Sequence, residues 1–539
     1  MAANMFRTKP LDLLLEEMKG ENRLRRVLGP VQLTSLGVGA IIGAGIFVAT
    51  GAAAHNTAGP ALMVSYAVAG MTCVFAALCY AEFASMVPVA GSAYTYAYAT
   101  LGEMFAWIIG WDLTLEYAVG SATVANGWSS FFQTLLPKVG IHLPVAISRA
   151  PIAYDAATGH FIATGGYINL PAVIIVAIVT AILVKGIQES ASFNAAMVGL
   201  KIAAVLFVIL VGAFLIEPSN WTPFAPYGWG GLTFFGKTIW GETVGGNPVG
   251  MLAGAAIIFF AYIGFDSVST HAEEAKQPNR DVPIGIVASL IICTILYIAV
   301  VAVLTGMVKY TQIDVGAGVS VAFATRGMAW AEAIIAIAGV AGITSVLLVM
   351  MLSAPRVFLA MSRDGMLPPS FFGAVHEKFR TPYKSTILVG VAVAIMTGFL
   401  PIDALLQMTN IGTLFAFAIV CAAVLIMRRT NPDAERPFRA PLVPLVPILG
   451  ILCCLMLMFS LPVENWLRLI VWLLIGLVIY FVYSRKHSVM SRRGGPGGGG
   501  HLAHEVAAHG VSPRGQAVGD PDAPPDAPDR PIDTDADKH

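Results

Sequence analysis

Charge is scarce in this sequence. Asp, Glu, Lys and Arg supply 12% of its 539 residues, about half the roughly 25% of an average soluble protein. Hydrophobic residues reach 57% and the mean hydropathy is +0.75. A water-facing surface cannot be covered from that composition, so lipid is the solvent for most of the chain. An excess of either sign is also missing. With 32 basic and 32 acidic residues the formal net charge is zero, which gives no basic surface for nucleic acid. Cysteine is thinly used: Cys73, Cys79, Cys293, Cys421, Cys453 and Cys454 all lie in apolar runs. That placement excludes an extracellular disulfide framework and shows no metal-ligand spacing, so they read as small buried hydrophobes. A cleavable leader is not expected either. The first thirty residues (KPLDLLLEEMKGENRLRRVLG among them) are charged and amphipathic, with no apolar core and no small-residue cleavage site.

What is present is a series of apolar stretches, each long enough to cross a bilayer. They lie near 31–51, 60–87, 104–135, 170–187, 192–215, 249–271, 283–307, 331–361, 383–400, 402–427, 441–461 and 465–484. The expected fold is an all-α integral membrane protein with about twelve transmembrane helices. An even count puts both termini on one side. With the N-terminus inside, Arg23, Arg25, Arg26, Arg356, Arg363, Lys378, Arg380, Lys384, Arg428, Arg429, Arg436, Arg439, Arg485 and Lys486 are all cytoplasmic. Lys138, Arg149, Lys237, Lys309 and Arg326 fall in outer loops, and Arg468 just inside the last helix. Such a bias places both termini in the cytoplasm of a multi-pass protein of the cell membrane. From about residue 488 the composition changes to GGPGGGG and then to DAPPDAPDRPIDTDADKH, a stretch too poor in apolar residues to fold alone.

Two spans are interrupted. GVGAIIGAGIFVATG (37–51) carries Gly37, Gly39, Gly43, Gly45 and Gly51 inside an apolar run, although glycine costs ~1 kcal/mol against alanine at an interior helix position. It does not fit a dinucleotide loop, which needs a preceding strand and an acidic residue about twenty positions on. Close helix packing suits Gly39 and Gly43, but does not by itself require Gly43 and Gly45 around one residue. GAAIIFFAYIGFDSVSTHAEE (254–274) has Gly264 mid-span followed by Asp266. A carboxylate at that depth costs ~2.5–3.5 kcal/mol, and Asp266 is a suitable N-cap for a helix starting after Gly264. Breaks near 43–45 and 263–265 lie five spans apart, the pattern of an inverted-repeat carrier with a mid-bilayer site. A half-helix N-terminus offers N–H groups to a carboxylate, and a half-helix C-terminus offers C=O groups to an ammonium. An amino acid carries both.

At these residues the sequence resembles the cationic amino acid transporter-like branch of the amino acid–polyamine–organocation superfamily. LTSLGVGAIIGAGIFV, VPVAGSAYTYAYATLGE, GWDLTLEY, FFAYIGFDSVSTHAEEAKQPNRDVPIGI and APRVFLAMSRDGMLP carry the likeness in order. The resemblance implies a five-plus-five inverted repeat with broken helices 1 and 6. An amphipathic segment 1–30 would precede repeats at 31–215 and 249–427, followed by two helices at 441–484 and a disordered cytoplasmic tail at 488–539. It implies a substrate site between helices 1, 3, 6 and 8. Amides of Gly43, Ala44 and Gly45 would take the substrate carboxylate, and carbonyls around Ile41, Phe260 and Ile263 its ammonium. Phe260 would also close the pocket from outside, the alternative being lipid-facing or core packing.

Lys201, in NAAMVGLKIAAVLFVI, either snorkels to the cytoplasmic interface or, as the resemblance implies, lies against the backbone of helix 1. There it would lose and regain a proton as the cavity opens to either side. Glu116 lies about twelve residues into its span, hence ~18 Å deep, with Asp112 one turn away. A neutral hydrogen-bonded carboxyl and a part in the proton path remain open for it. Glu103 reads as a capping or interfacial charge. Glu273, Glu274, Arg280, Arg356, Arg363 and Asp364 read as inner-gate ion pairs or as solvated loop charges. By position Met350 would face the substrate side chain. Its thioether offers no acceptor for a cationic head, which favours small or medium neutral amino acids such as alanine, with arginine and lysine as runner-up. Met351 pointing inward, or a counter-charge from Glu116 or Asp266, would reverse that choice. No HExxH, GxSxG or nucleotide loop occurs, so an enzyme is not expected, no cofactor is implied, and the energy source is a gradient. The expected partners are an amino acid, protons and the lipid bilayer, with import by proton symport the leading reading and amino acid or polyamine exchange the alternative.

Overall fold

A computed structural model describes residues 7–9, 28–86, 92–155, 160–186, 191–270, 275–379 and 381–490. The main helices are α1 (Pro30–Ile41), α2 (Leu62–Met86), α3 (Glu103–Leu135), α4 (Leu170–Lys185), α5 (Ala191–Ala213) and α6 (Met251–Ile258). They continue with α7 (Pro278–Met307), α8 (Ala329–Arg363), α9 (Tyr383–Phe399), α10 (Ile402–Thr430), α11 (Leu445–Met458) and α12 (Val463–Ile479). Among the described residues six helical stretches are long and apolar enough to cross a membrane, the first running from Pro30 to Met86, and four shorter apolar helices accompany them. Their outer faces are apolar: Ile295 on α7, Ile337 on α8, Val391 on α9 and Val478 on α12 are all exposed. Such a surface is stable only against lipid.

Local sequence sets the helix ends. Pro171 opens α4, and the Asn169 side chain accepts the Ala172 amide at 3.4 Å, the usual N-cap exchange. On α10, Asp403 stands in the first turn and Arg428 and Arg429 in the last, matching the helix dipole. The all-α expectation needs an amendment. Antiparallel hairpins β1–β2 (Ile152–Asp155, His160–Ala163), β3–β4 (Leu232–Phe234, Lys237–Trp240) and β5–β6 (Glu242–Val244, Asn247–Val249) lie between helices. They sit in connections outside the apolar spans, where backbone groups pair locally instead of within a helix.

Helix α3 packs on α8 and α10, and α7 packs on α1 and α2. Helix α12 is fastened to α3 by a reciprocal tryptophan pair. Trp111 Nε1 donates to Trp472 O at 2.9 Å, Trp472 Nε1 donates to Trp111 O at 3.0 Å, and the rings stack at 4.4 Å. All six cysteines are free, five buried and Cys453 half-buried.

Candidate functional site

Both interruptions are physical breaks. Helix α1 stops at Ile41, and Ile42 turns extended (φ −71°, ψ 106°) while its amide bonds Val38 O at 2.9 Å. The chain is helical again from Ala44 through a wide π-type turn at Gly45–Ala49. Helix α6 tightens into a 3-10 turn at Phe259–Tyr262, opens at Ile263 (ψ 131°) and resumes at Ser267–Thr270. Gly264 has φ +121°, a conformation that side chains rarely adopt.

The breaks touch one another. A Cβ on Gly45 would fall 2.2 Å from Ala261 Cα, and one on Gly264 would fall 2.8 Å from Ala40 O. The other glycines of the first break are equally enclosed. Cβ positions at Gly37, Gly39, Gly43 and Gly51 would meet Ser289 (2.6 Å), Val198 (2.5 Å), Val346 (2.6 Å) and Asp314 O (2.5 Å). Packing therefore does require Gly43 and Gly45 together, because they face α8 and the α6 break respectively. The expectation that packing does not by itself call for Gly43 and Gly45 around one residue is corrected on this point.

Lys201 is 1% exposed and its ammonium donates to Gly39 O at 2.5 Å. Its stem runs past Gly342 of α8, so it does not snorkel. Of the carbonyls singled out in the sequence, Ile41 O accepts the Tyr297 hydroxyl at 2.8 Å and Phe260 O accepts the Ile263 amide at 3.2 Å. Each keeps a second lone pair. Phe260 is buried, which rules out a lipid-facing ring. Asp266 accepts the Gly264 amide (3.3 Å) through Oδ1 and the Tyr117 hydroxyl (3.0 Å) through Oδ2, holding the open turn to α3. Met350 and Met351 are both buried. The Met350 sulfur lies 3.4 Å from where a Gly120 Cβ would be, beside Thr409 of α10. Glu116 and Asp112 are buried, and Glu116 Oε2 and Asp112 Oδ2 have no hydrogen-bond partner.

The sequence reading missed Tyr297, Tyr117, Val346, Gly120 and Asn410. Asn410 Nδ2 donates to Ala256 O (2.9 Å) and Ile257 O (2.8 Å), capping carbonyls that α6 frees as it tightens. An asparagine in the apolar run LLQMTNIGTLFAF was a readable signal. Tyr297 gave none, since an aromatic in a span is ordinary.

The inner-gate expectation changes as well. Glu273, Glu274 and Arg380 lie outside the described residues, as do Arg23, Arg25, Arg26 and residues 87–91 of VPVAGSAYTYAYATLGE. Asp364 pairs with Lys9 (3.2 Å) and accepts the Tyr94 hydroxyl (2.6 Å). Glu103, expected as a capping or interfacial charge, stands in the first turn of α3 but is 1% exposed, accepting Ser488 (2.5 Å), Tyr480 (3.2 Å) and Tyr98 (3.4 Å) hydroxyls. Ser488–Met490, assigned to the tail, thus belong to the packed structure; residues from 491 on lie outside the described set.

The amino acid permease family model matches residues 28–489. The chain is 47% identical over 493 residues to the branched-chain amino acid permease BcaP of Bacillus subtilis, covering 91% of this chain and 100% of that one. It is 42% identical over 490 residues to the methylthioribose transporter of the same organism, with the same coverage. It is 37% identical over 436 residues to the vacuolar cationic amino acid transporter 4 of Arabidopsis thaliana, covering 80% of this chain and 68% of that protein. A match across both helix breaks and nearly every span leaves one assignment: this chain is a multi-pass membrane protein of the amino acid permease family, in the cationic amino acid transporter-like branch of the amino acid–polyamine–organocation superfamily, and not an enzyme.

Proposed function

We propose that this protein moves amino acids across the cell membrane by proton-coupled, alternating-access symport, with both termini cytoplasmic. The observation that carries the reading is the meeting of two helix breaks beside an intramembrane ammonium: Gly45 against Ala261, and Lys201 on Gly39 O. The first amides after α1 (Gly43, Ala44, Gly45) have no acceptor within the new helical stretch and suit a carboxylate. Carbonyls of Ile41, Phe260 and Ile263 suit the ammonium. Asp266 shapes the α6 break and Met350 bounds the side-chain pocket. Lys201 holds the coupling proton, with Glu116 on the same path. Breaks in the first and sixth helices support a five-plus-five inverted repeat, with α11 and α12 trailing.

The substrate proposed is a neutral amino acid with a small or medium apolar side chain. An apolar wall with Met350 gives no partner to a charged head, and a relative matched over 91% of this chain is a branched-chain amino acid permease. A second reading, uptake of arginine or lysine, draws on Glu116 Oε2 and Asp112 Oδ2, buried acceptors without partners. Proteoliposomes loaded with the purified protein test both, with radiolabelled alanine, leucine, arginine and methylthioribose supplied under an inward proton gradient. Alanine or leucine uptake that collapses with a protonophore is the expected result. Counterflow indifferent to the gradient would make the protein an exchanger. Preference for arginine would reinstate the cationic reading, and uptake of methylthioribose alone would overturn amino acid transport.

A further inference from the structure

One face of α7 runs along the whole of α1. A Cβ on Gly285 would lie 2.9 Å from Leu33 Cβ, Ser289 Oγ lies 2.6 Å from a Gly37 Cβ position, and Tyr297 reaches Ile41. Residues 285, 289, 293 and 297 are spaced by four and share one helix face. The topmost of them does more than pack. The Tyr297 hydroxyl, wholly buried, faces two carbonyls at once: Ile41 O at 2.8 Å and Ala261 O at 3.1 Å. One oxygen ends α1, and the other belongs to the tightened turn of α6. A hydroxyl has a single proton, so these two acceptors share it.

The surroundings hold that hydroxyl in place. The Tyr297 ring meets Tyr66 of α2 and Tyr262 edge-on or tilted, at 5.5 and 5.6 Å, and Tyr66 and Tyr262 meet at 6.1 Å. The Tyr262 hydroxyl donates to Tyr66 O at 2.8 Å. Thr50, beyond the first break, bonds Gly45 O at 3.4 Å and the Tyr66 hydroxyl at 2.7 Å. Three tyrosines thus surround the two breaks, and Tyr297 is the one of the three whose hydroxyl faces a carbonyl of each.

We propose that Tyr297 is a positioning residue of the transport cycle, a latch that ties α1 to the α6 break and hands over the Ile41 carbonyl when a substrate ammonium arrives. The ammonium brings three donors of its own. Once it occupies the carbonyl cluster, the shared proton settles on Ala261 O, and α1 loses its tie to α6. Substrate binding and the release of α1 from α7 are then one exchange of hydrogen bonds. This inference rests on the transport reading above, yet its labelling test does not require that transport be seen.

Cys293 supplies the readout. It lies between Ser289 and Tyr297, one turn from each, and both of those meet α1; it is fully buried. With Cys73, Cys79, Cys421, Cys453 and Cys454 replaced by alanine, N-ethylmaleimide labelling of Cys293 reports how often α1 leaves α7. Tyr297→Phe keeps the ring and removes the hydroxyl. Loss of one ordinary hydrogen bond shifts such an opening equilibrium about tenfold, so labelling without substrate should rise by about that factor. Alanine or leucine should accelerate labelling in the parent protein and have no further effect in Tyr297→Phe. Counterflow in the variant should show a reduced maximal rate with KM changed far less. Two results overturn the latch: parental Cys293 labelling in Tyr297→Phe, or an equal rise at Cys454 when that is the one cysteine retained, which would mean general loosening. If labelling rises as expected but neither amino acid alters the parent, the latch stands and the amino acid reading fails.

Discussion

Lys201 is the residue to which the proposed transport mechanism assigns the coupling proton. Its ammonium has a backbone carbonyl of the broken helix at 2.5 Å, deep in a chain whose spans face lipid. A charge in that position is costly to hold, so its retention points to use. Lys201→Ala should abolish uptake driven by a pH gradient while leaving substrate binding measurable by a radioligand assay. Full gradient-driven uptake in the variant removes proton coupling through this residue. The glycines of the first break differ in how far a substitution can test backbone recognition. A side chain at Gly45 would start 2.2 Å from Ala261 Cα, so Gly45→Val would pry the two breaks apart whatever the role of its amide. Gly43→Ala is more informative, because its Cβ would meet only the Val346 side chain. Binding should fall in Gly43→Ala and return in Gly43→Ala with Val346→Ala. A double variant that stays inactive would mean that the new methyl obstructs the substrate itself. Met350→Ser should widen acceptance toward arginine in competition assays by removing the thioether beside Gly120 and Thr409. Unchanged selectivity would show that Met350 does not bound the pocket.

At the scale of elements, α10 and the connection after it are held to α2 by a buried charge cluster that the positive-inside count had treated as simple cytoplasmic charge. Glu82, 2% exposed, accepts Arg428 Nε at 2.9 Å and Nη2 at 2.7 Å, and also the Ala440 amide at 2.8 Å. Removing one partner of a buried pair costs up to ~3–5 kcal/mol when it leaves the other charge uncompensated, and the second arginine near Glu82, Arg436, offsets part of that here. Arg428→Ala should therefore lower the unfolding temperature of the detergent-solubilised protein well below that of Arg429→Ala, an exposed neighbour. Equal stability would show that Arg436, with Nε 3.5 Å from Glu82 Oε1, carries the carboxylate alone. Much of the helical content was legible: each apolar stretch marked in the sequence contains much of one of the helices α1–α12, because hydropathy and proline or glycine punctuation act within a few residues. The breaks were legible too, since glycine clusters and an intramembrane Asp266 violate the rule for an uninterrupted span. Which groups close around the breaks was not legible.

For the whole molecule, the relevant boundary is where the packed structure stops. Composition put it near 484–488, whereas Ser488 is buried against Glu103 and Val489 N bonds Asp364 O at 3.1 Å. Truncation after Met490 should leave transport and thermal stability intact. Truncation after His487 should lower stability by removing a charge-assisted bond to a buried carboxylate, worth ~1.5–3 kcal/mol. Identical melting of the two truncations would show that Ser488 is passive.

The sequence by itself determined the membrane setting, the helices, the two breaks, the family and the kind of group each helix end offers. All of these follow from properties summed over neighbours in the chain. Tertiary structure alone decided that Lys201 reaches Gly39 across 162 residues, that Tyr297 reaches Ile41 across 256, and that Arg428 reaches Glu82 across 346. A buried lysine, tyrosine or glutamate must find a partner, but composition does not say which. That choice belongs to helix packing: at the first break it leaves backbone oxygens of α1 as the acceptors for Lys201 and Tyr297, and between α2 and α10 it brings the Glu82 carboxylate to Arg428.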